Sequence, residues 1–241
     1  MQLDVTSPFE KLQEKMKEAV GKYGRIDVYV ANAGYVQYAP IEEADHEKDL
    51  IKQMATNTFG ATNILRAVMP YWREQKSGFL LVNSSYMSWW STRPGVGSYA
   101  ASKAALDPTF AAETAALGFI KVLTVHPGHF STDVTNPRRY EFPKKSLNYQ
   151  QLSDFYADYV PNQMHGKQPG DVGMGAKVMI DLVKCEGGAT GKELPPSIPL
   201  GTDAFELVKE ETEKYLKMLH EWEKVIRSTD VVEGSSAWAT G

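Results

Sequence analysis

Residues 79–82, Phe-Leu-Leu-Val, constrain the fold more than any other stretch of this chain. Four apolar residues in a row, preceded by Gly78 and closed by Asn83, Ser84 and Ser85, read as a buried strand. A Pro94-Gly95 turn follows. Ser98 is then a candidate N-cap for a helix over about 98–117 that carries Tyr99 and Lys103. Residues four apart share one helix face. Tyr99 and Lys103 therefore point together at the space beyond the strand end. An ammonium near a phenol favours the phenolate, and a poised phenol exchanges a proton near neutral pH. A hydroxyl at Ser85 can hold a substrate oxygen. Residues 78–103 thus read as a proton-transfer constellation for a carbonyl or an alcohol.

The flanking chain alternates helices with strands. A helix over 9–23 carries an apolar stripe of Phe9, Leu12, Met16, Ala19, Val20 and Tyr23. Ser7 is its expected cap, Pro8 suits its first turn, Glu10 can close a capping box, and Gly24 ends it. A strand over 26–31 runs into an Asn32-Ala33-Gly34 turn. A polar helix begins near Glu43, and a second, or its continuation, spans 57–74 with Phe59, Ile64, Leu65, Val68, Met69 and Trp72 facing inward. Pro70 is a possible kink. The next strand, 119–125, is closed by His126-Pro127-Gly128. Residues 131–170 are aromatic-rich (Tyr140, Phe142, Tyr149, Phe155, Tyr156, Tyr159) and long enough to contain helices or serve as a lid. Pro169-Gly170-Asp171 starts a helix ending near 184. Leu194-Pro195-Pro196 is no ordinary strand interior. The last helix, 202–227, has a Glu- and Lys-rich outer face and is expected to dock on its own core or on a second subunit. The polar tail over 228–241 is expected to be mobile. This alternation argues one α/β domain over 1–241, its mostly parallel sheet covered on both faces.

Composition narrows the function. With 241 residues and 42% hydrophobic content, the chain can bury one substantial core. A net charge of -4 gives no reason to expect nucleic acid or an anionic membrane as partner. Cys185 is the single cysteine, which suits a reducing, cytoplasmic setting. The start has no basic region followed by an apolar core, and no stretch reaches about 18 apolar residues, so neither a signal peptide nor a membrane span is expected. His46, His126, His129, His165 and His220 form no metal-binding array, and no metal is expected. Ser85 lacks the Gly-x-Ser-x-Gly surroundings of a hydrolase nucleophile.

The ordered set Asn83-Ser84-Ser85, Tyr99-Ala-Ala-Ser102-Lys103 and Ala104-Ala105-Leu106 resembles the active-site segment of the short-chain dehydrogenase/reductase family, classical type. The family's Asn-x-Ser-Ser is one residue shorter here, and the Ser85–Tyr99 loop about one residue longer. Asp4-Val5-Thr6 resembles the family's Asp-Val segment near the adenine. Asn32-Ala33-Gly34 resembles its Asn-Ala-Gly turn beside the cofactor, with Ala31 where a second asparagine is usual. Asn57 matches the asparagine of a water-linked proton relay. Pro127-Gly128-x-x-x-Thr132 resembles the loop around the nicotinamide, with Thr132 near its carboxamide or the phosphates. The resemblance covers essentially the whole chain and implies a Rossmann-like three-layer fold.

No Gly-x-Gly-x-x-Gly pattern occurs in the sequence. Set against the family, the chain starts about 50 to 60 residues late, past the phosphate-binding turn and the strand that chooses NAD or NADP. In the family order 3-2-1-4-5-6-7, strand 26–31 would then lie at a new edge. The expectation is a domain truncated at its N-terminus, with another chain or a rearranged N-terminus as alternatives.

The resemblance implies Asn57, Ser85, Tyr99 and Lys103 as the catalytic set. It implies Asp4, Val5, Asn32, Ala33, Gly34, Tyr99, Lys103, Pro127, Gly128 and Thr132 as the cofactor-binding set, for NADP or NAD. NAD(P)H would deliver hydride to a carbonyl carbon while Tyr99 protonates its oxygen, with Lys103 lowering the tyrosine pKa and holding the ribose. Two further readings stand beside this one: a cofactor-independent isomerase, dehydratase or cyclase using the same trio, and a non-catalytic subunit. Tyr86, Met87, Trp89, Trp90, His129 and Phe130 point to a cyclic, aromatic or polyketide-like substrate. Family resemblance also implies homodimers or homotetramers built through the helices near Asn57 and Tyr99.

Overall fold

The computed structural model describes residues 1–89, 93–106, 116–136 and 146–230. Trp90, Tyr140, Phe142, residues 107–115 of the helix expected over 98–117, and most of the expected tail lie outside the described residues.

Among the described residues, four strands, β1 (Val28–Ala31), β2 (Gly78–Asn83), β3 (Ile120–Pro127) and β4 (Ser197–Leu200), form one parallel sheet in the order β1-β2-β3-β4. Helix α1 (Phe9–Tyr23) precedes it. Helix α2 (Ala61–Gln75) links β1 to β2, and α3 (Gly97–Ala104) lies between β2 and β3. Helices α4 (Gln150–Asp158) and α5 (Val172–Lys184) come before β4, and α6 (Thr202–Arg227) follows it. Successive strand residues face opposite ways. Leu80 and Val82 therefore join Leu12 and Met16 of α1 and Ile64, Leu65, Val68 and Trp72 of α2 on one face. Phe79 and Leu81 pack with Leu123, Val125 and Leu182 on the other. That double burial is what the apolar run of β2 demands, and it gives the three layers of a Rossmann-like fold.

The helix starts depart from the sequence reading. The α1 N-cap is Pro8 with no side-chain bond; the Ser7 N–H instead bonds the Asp4 carbonyl at 3.1 Å, so neither Ser7 nor Glu10 closes a capping box. Val96, not Ser98, caps α3. Asp171 does cap α5, its carboxylate accepting the Met174 N–H at 2.7 Å. The helix expected near Glu43 starts at His46 and runs as π turns (His46–Ile51, Ala55–Gly60) on either side of Lys52–Met54 before entering α2. The π winding rotates the apolar stripe, which is why Phe59 is 55% exposed rather than inward. Tyr23, at the α1 end, is also exposed.

Strand β4 was not legible. It contains Pro199 and follows Pro195-Pro196. An edge strand tolerates proline because its outer side needs no N–H donor. β4 pairs only with β3 in the sheet order, with Thr124 N–H donating to the Pro196 carbonyl at 3.0 Å. At the opposite edge lies β1, as the family order implies, with Val28 and Val30 exposed. No helix among the described residues is long and apolar enough to cross a membrane.

Candidate active site

A cavity of about 560 Å³ opens at the carboxyl ends of the strands, where parallel α/β sheets place their ligands. Asn32 follows β1, Ser84 and Ser85 follow β2, and Pro127 and Gly128 end and follow β3; all line it, with Tyr99 and Lys103 of α3. A third apolar cluster, Val36, Tyr38, Val96, Tyr156 and Val160, encloses its far side.

Ser85 caps the turn Tyr86–Ser88, its Oγ accepting the Met87 N–H at 3.1 Å, and is hydrogen-bonded to the Tyr99 hydroxyl. Burial pushes the Tyr99 phenol up, and the Ser85 hydrogen bond opposes that only in part. This reverses the sequence expectation, in which Lys103 lowers it. Lys103 is buried, and its ammonium donates to the Asn83 carbonyl at 2.8 Å. Desolvation of the phenolate therefore dominates.

Asn57 does not line the cavity. It is fully buried behind it: its Oδ1 accepts the Tyr35 N–H at 3.0 Å, and its Nδ2 donates to the Tyr35 carbonyl and to Ser102 Oγ, both at 2.9 Å. Its side chain ties the loop after β1 to α3. Gly34 sits in that loop, where a Cβ would lie 3.1 Å from Asn57 Oδ1 and 3.2 Å from Lys103 Nζ. A larger residue would press on both groups and require the loop or the lysine to shift by a few tenths of an ångström.

The other proposed cofactor residues divide. Asn32, Gly34, Pro127, Gly128 and Thr132 reach the cavity; Ala33, Asp4 and Val5 do not. Asp4 folds back on Thr6, accepting its N–H at 2.9 Å and its hydroxyl at 2.8 Å, which holds the exposed carboxyl below its usual value. Val5 packs on Gly60. Of the proposed substrate aromatics, Tyr86, Met87, His129 and Phe130 line the cavity. Trp89 does not; its indole N–H donates to His126 Nε2 at 2.8 Å. That fixes the proton on His126 Nδ1, beside the Ser85 carbonyl at 3.2 Å, so this buried histidine braces the serine turn.

Sequence reasoning missed a relay of three side chains. Asp203, in the first turn of α6, accepts the His129 N–H and its Nδ1–H, both at 2.8 Å. His129 Nε2 in turn lies 3.3 Å from the Tyr86 hydroxyl. Burial pushes the Tyr86 phenol up to about 12. Burial also works against the Asp203 carboxylate, but the two His129 hydrogen bonds outweigh it and hold the group below its usual value. Gly128 makes room: a Cβ there would lie within 2.0 Å of Asp203 Oδ1. The three residues are 43 and 74 positions apart, so no local spacing could have revealed them.

The sequence pattern of the family described as short chain dehydrogenase matches residues 1–141. The chain belongs to the short chain dehydrogenase family. Similarity to the oxidoreductase BOA17 of Botryotinia fuckeliana is 31% identity over 207 residues, 85% of this chain and 71% of that protein. To the 3-ketodihydrosphingosine reductase of Bacteroides thetaiotaomicron it is 34% over 140 residues, covering 56% of this chain and only half of that enzyme. The solved structure of a short-chain dehydrogenase from Streptomyces avermitilis superimposes with a TM-score of 0.77 at 30% identity, over 95% of this chain and 80% of that one. Within the family frame, the sheet described here begins at the strand that precedes the Asn-Ala-Gly turn.

Proposed function

We propose that the chain is an NAD(P)-dependent oxidoreductase that interconverts a ketone and a secondary alcohol. The observation that carries this reading is the hydrogen-bonded Ser85–Tyr99 hydroxyl pair at the cavity, with Lys103 one helical turn on.

The cavity calls for a polar occupant. Asn83 Oδ1, Tyr35 Oη and Gln168 Oε1 are buried there without hydrogen-bond partners, and each such atom costs about 1–3 kcal/mol. A ribose diol suits the position at Asn83 Oδ1. It has hydroxyls to donate to Asn83 Oδ1 and to accept from the Lys103 ammonium, whose present acceptor is the carbonyl of the same asparagine. Asn32, Gly34, Gly128 and Thr132 would flank the nicotinamide half. A reduced nicotinamide, when bound, supplies hydride to the carbonyl carbon.

The chain's own residues handle the oxygen. Ser85 Oγ orients it, and Tyr99 Oη holds the proton that passes to it as it becomes an alkoxide. A buried, neutral phenol is the form that can donate in reduction. Lys103 stabilises the phenolate left behind, and Asn57 keeps the loop after β1 in place. In oxidation the proton returns to Tyr99. Tyr86, Met87, Phe130, Tyr156 and Tyr159 give the rest of the cavity flat apolar walls, which supports a bulky cyclic or aromatic substrate over a small polar one.

The test is NADPH and NADH oxidation against a panel of aryl and cyclic ketones. Turnover that Tyr99→Phe removes with folding intact is the expected result. Turnover that survives Tyr99→Phe, or is confined to small polar alcohols, contradicts the reading.

A further inference from the structure

The oxidoreductase chemistry leaves one set of polar side chains at the cavity unused. Asp203 accepts both the backbone N–H and the Nδ1–H of His129 at 2.8 Å. Its carboxylate is seated between two glycines. A Cβ at Gly128, which follows β3, would strike it, and one at Gly201, which follows β4, would lie 3.0 Å from Oδ1. Gly201 also has a φ of +100°, where other residues are strained. Two strand ends thus leave a slot for this one carboxylate.

The other end of the set is a hydroxyl in the cavity wall. A carboxylate only accepts hydrogen bonds, so in the neutral imidazole Nδ1 carries the proton and Nε2 a lone pair. Tyr86 Oη, 3.3 Å from Nε2, therefore donates to it. The lone pairs of Tyr86 Oη are left to accept from an occupant of the cavity that Tyr86 and His129 both line. Tyr86 directly follows Ser85, and its phenol is close enough to Tyr99 for the two to interact electrostatically. One rigid bicyclic molecule within the cavity of about 560 Å³ can thus reach both.

Charge says which kind of donor suits. The described lining carries two cations, Lys103 and Arg93, and no carboxylate. Arg93 is hydrogen-bonded to Tyr159. After burial, its guanidinium is the strongest influence on the Tyr86 phenol, ahead of the opposing Asp203 carboxylate. A phenol donates a stronger hydrogen bond than an alcohol does, and the negative charge that builds on its oxygen meets a cation here.

Building on the oxidoreductase reading, we propose that Tyr86, held by His129 and Asp203, anchors a phenolic hydroxyl of the substrate while Ser85 and Tyr99 hold its carbonyl. The substrate class is then a hydroxyaryl ketone. Tyr86 touches the substrate; His129 and Asp203 position it by fixing where its proton points.

Calorimetric titration of the folded chain, without nucleotide, with α-tetralone, its ring-hydroxylated isomers and their methyl ethers tests this. A methyl ether can accept a hydrogen bond but cannot donate one. At least one hydroxylated isomer is expected to bind roughly tenfold tighter than its ether. Tyr86→Phe should abolish that preference, and Tyr99→Phe should leave it standing, with circular dichroism checking the fold of each variant. His129→Phe frees the Tyr86 hydroxyl to donate, so the preference should fall there too; a merely structural histidine would weaken both ligands alike. Failed ketone turnover with the preference intact would fall on the oxidoreductase reading alone. No binding of any hydroxylated isomer, equal affinity for every hydroxyl and its ether, a preference for the ethers, or a preference removed by Tyr99→Phe rather than Tyr86→Phe would each overturn the anchor.

Discussion

Replacing Asn57 with alanine measures how strongly the loop after β1 is tied to the helix that carries Tyr99 and Lys103. The amide is fully buried and makes three hydrogen bonds, at 3.0, 2.9 and 2.9 Å. At about 1 kcal/mol each, their loss costs about 3 kcal/mol. The Tyr35 N–H is then orphaned, adding of order 1 kcal/mol, whereas the Tyr35 carbonyl keeps its bond from Gln53 at 3.2 Å. Asn57→Ala should therefore cost about 4 kcal/mol and lower Tm by roughly 8–16 °C for a chain of this size. Asn57→Asp refines the test. It keeps the acceptor for Tyr35 N–H but sets a carboxylate against the Tyr35 carbonyl, which raises the pKa of the introduced carboxyl on folding. The penalty is then largest above that raised pKa and shrinks as pH falls and the protonated acid becomes a donor again. Urea unfolding of both variants between pH 5 and 8 reads both effects. A change under 1 kcal/mol for Asn57→Ala, or a flat pH profile for Asn57→Asp, would refute the strut.

The remaining predictions concern the site. Tyr99→Phe should lower kcat by about 10²–10⁴ while leaving Tm nearly unchanged. Ultraviolet titration of the wild type minus Tyr99→Phe should show no phenolate from Tyr99 below about pH 10, because burial raises that group; ionisation near neutral pH in the cofactor-free chain would overturn the account of its pKa. The Asp203 carboxyl is held low by His129, so its contribution is present above the unfolded pKa and lost as pH falls through the folded one. The stability gap between wild type and Asp203→Asn should accordingly be open at pH 7 and close below about pH 4. Gly34→Ala should weaken NADPH binding by pressing on Asn57 and Lys103, which calorimetry with the variant would show.

Much of this architecture could be read from local pattern. The apolar run of β2, the stripe of α1 as far as Val20, the Asp171 start of α5 and the four-residue step from Tyr99 to Lys103 are consequences of neighbouring residues, and each lies where its pattern placed it. What escaped depends on distant contacts. Pro199 is acceptable in β4 only because that strand is an edge, and edges are decided by topology. Phe59 is exposed because the helix around it is wound in π turns, which no 3.6-residue period anticipates. The Tyr99 phenol is raised rather than lowered because the cluster around the cavity dries it, and burial is a property of the assembled fold. Asp203 reaches His129 through a glycine whose importance shows only once α6 lies against the end of β3.

Calorimetric titration of the folded 241-residue chain with NADPH and NADH, repeated with Lys103→Met, bears most directly on the proposed oxidoreductase chemistry. Saturable binding of one nucleotide per chain, weakened at least tenfold by the lysine replacement, is the predicted result. A folded chain that binds neither nucleotide, or binds one with an affinity indifferent to Lys103, would contradict it.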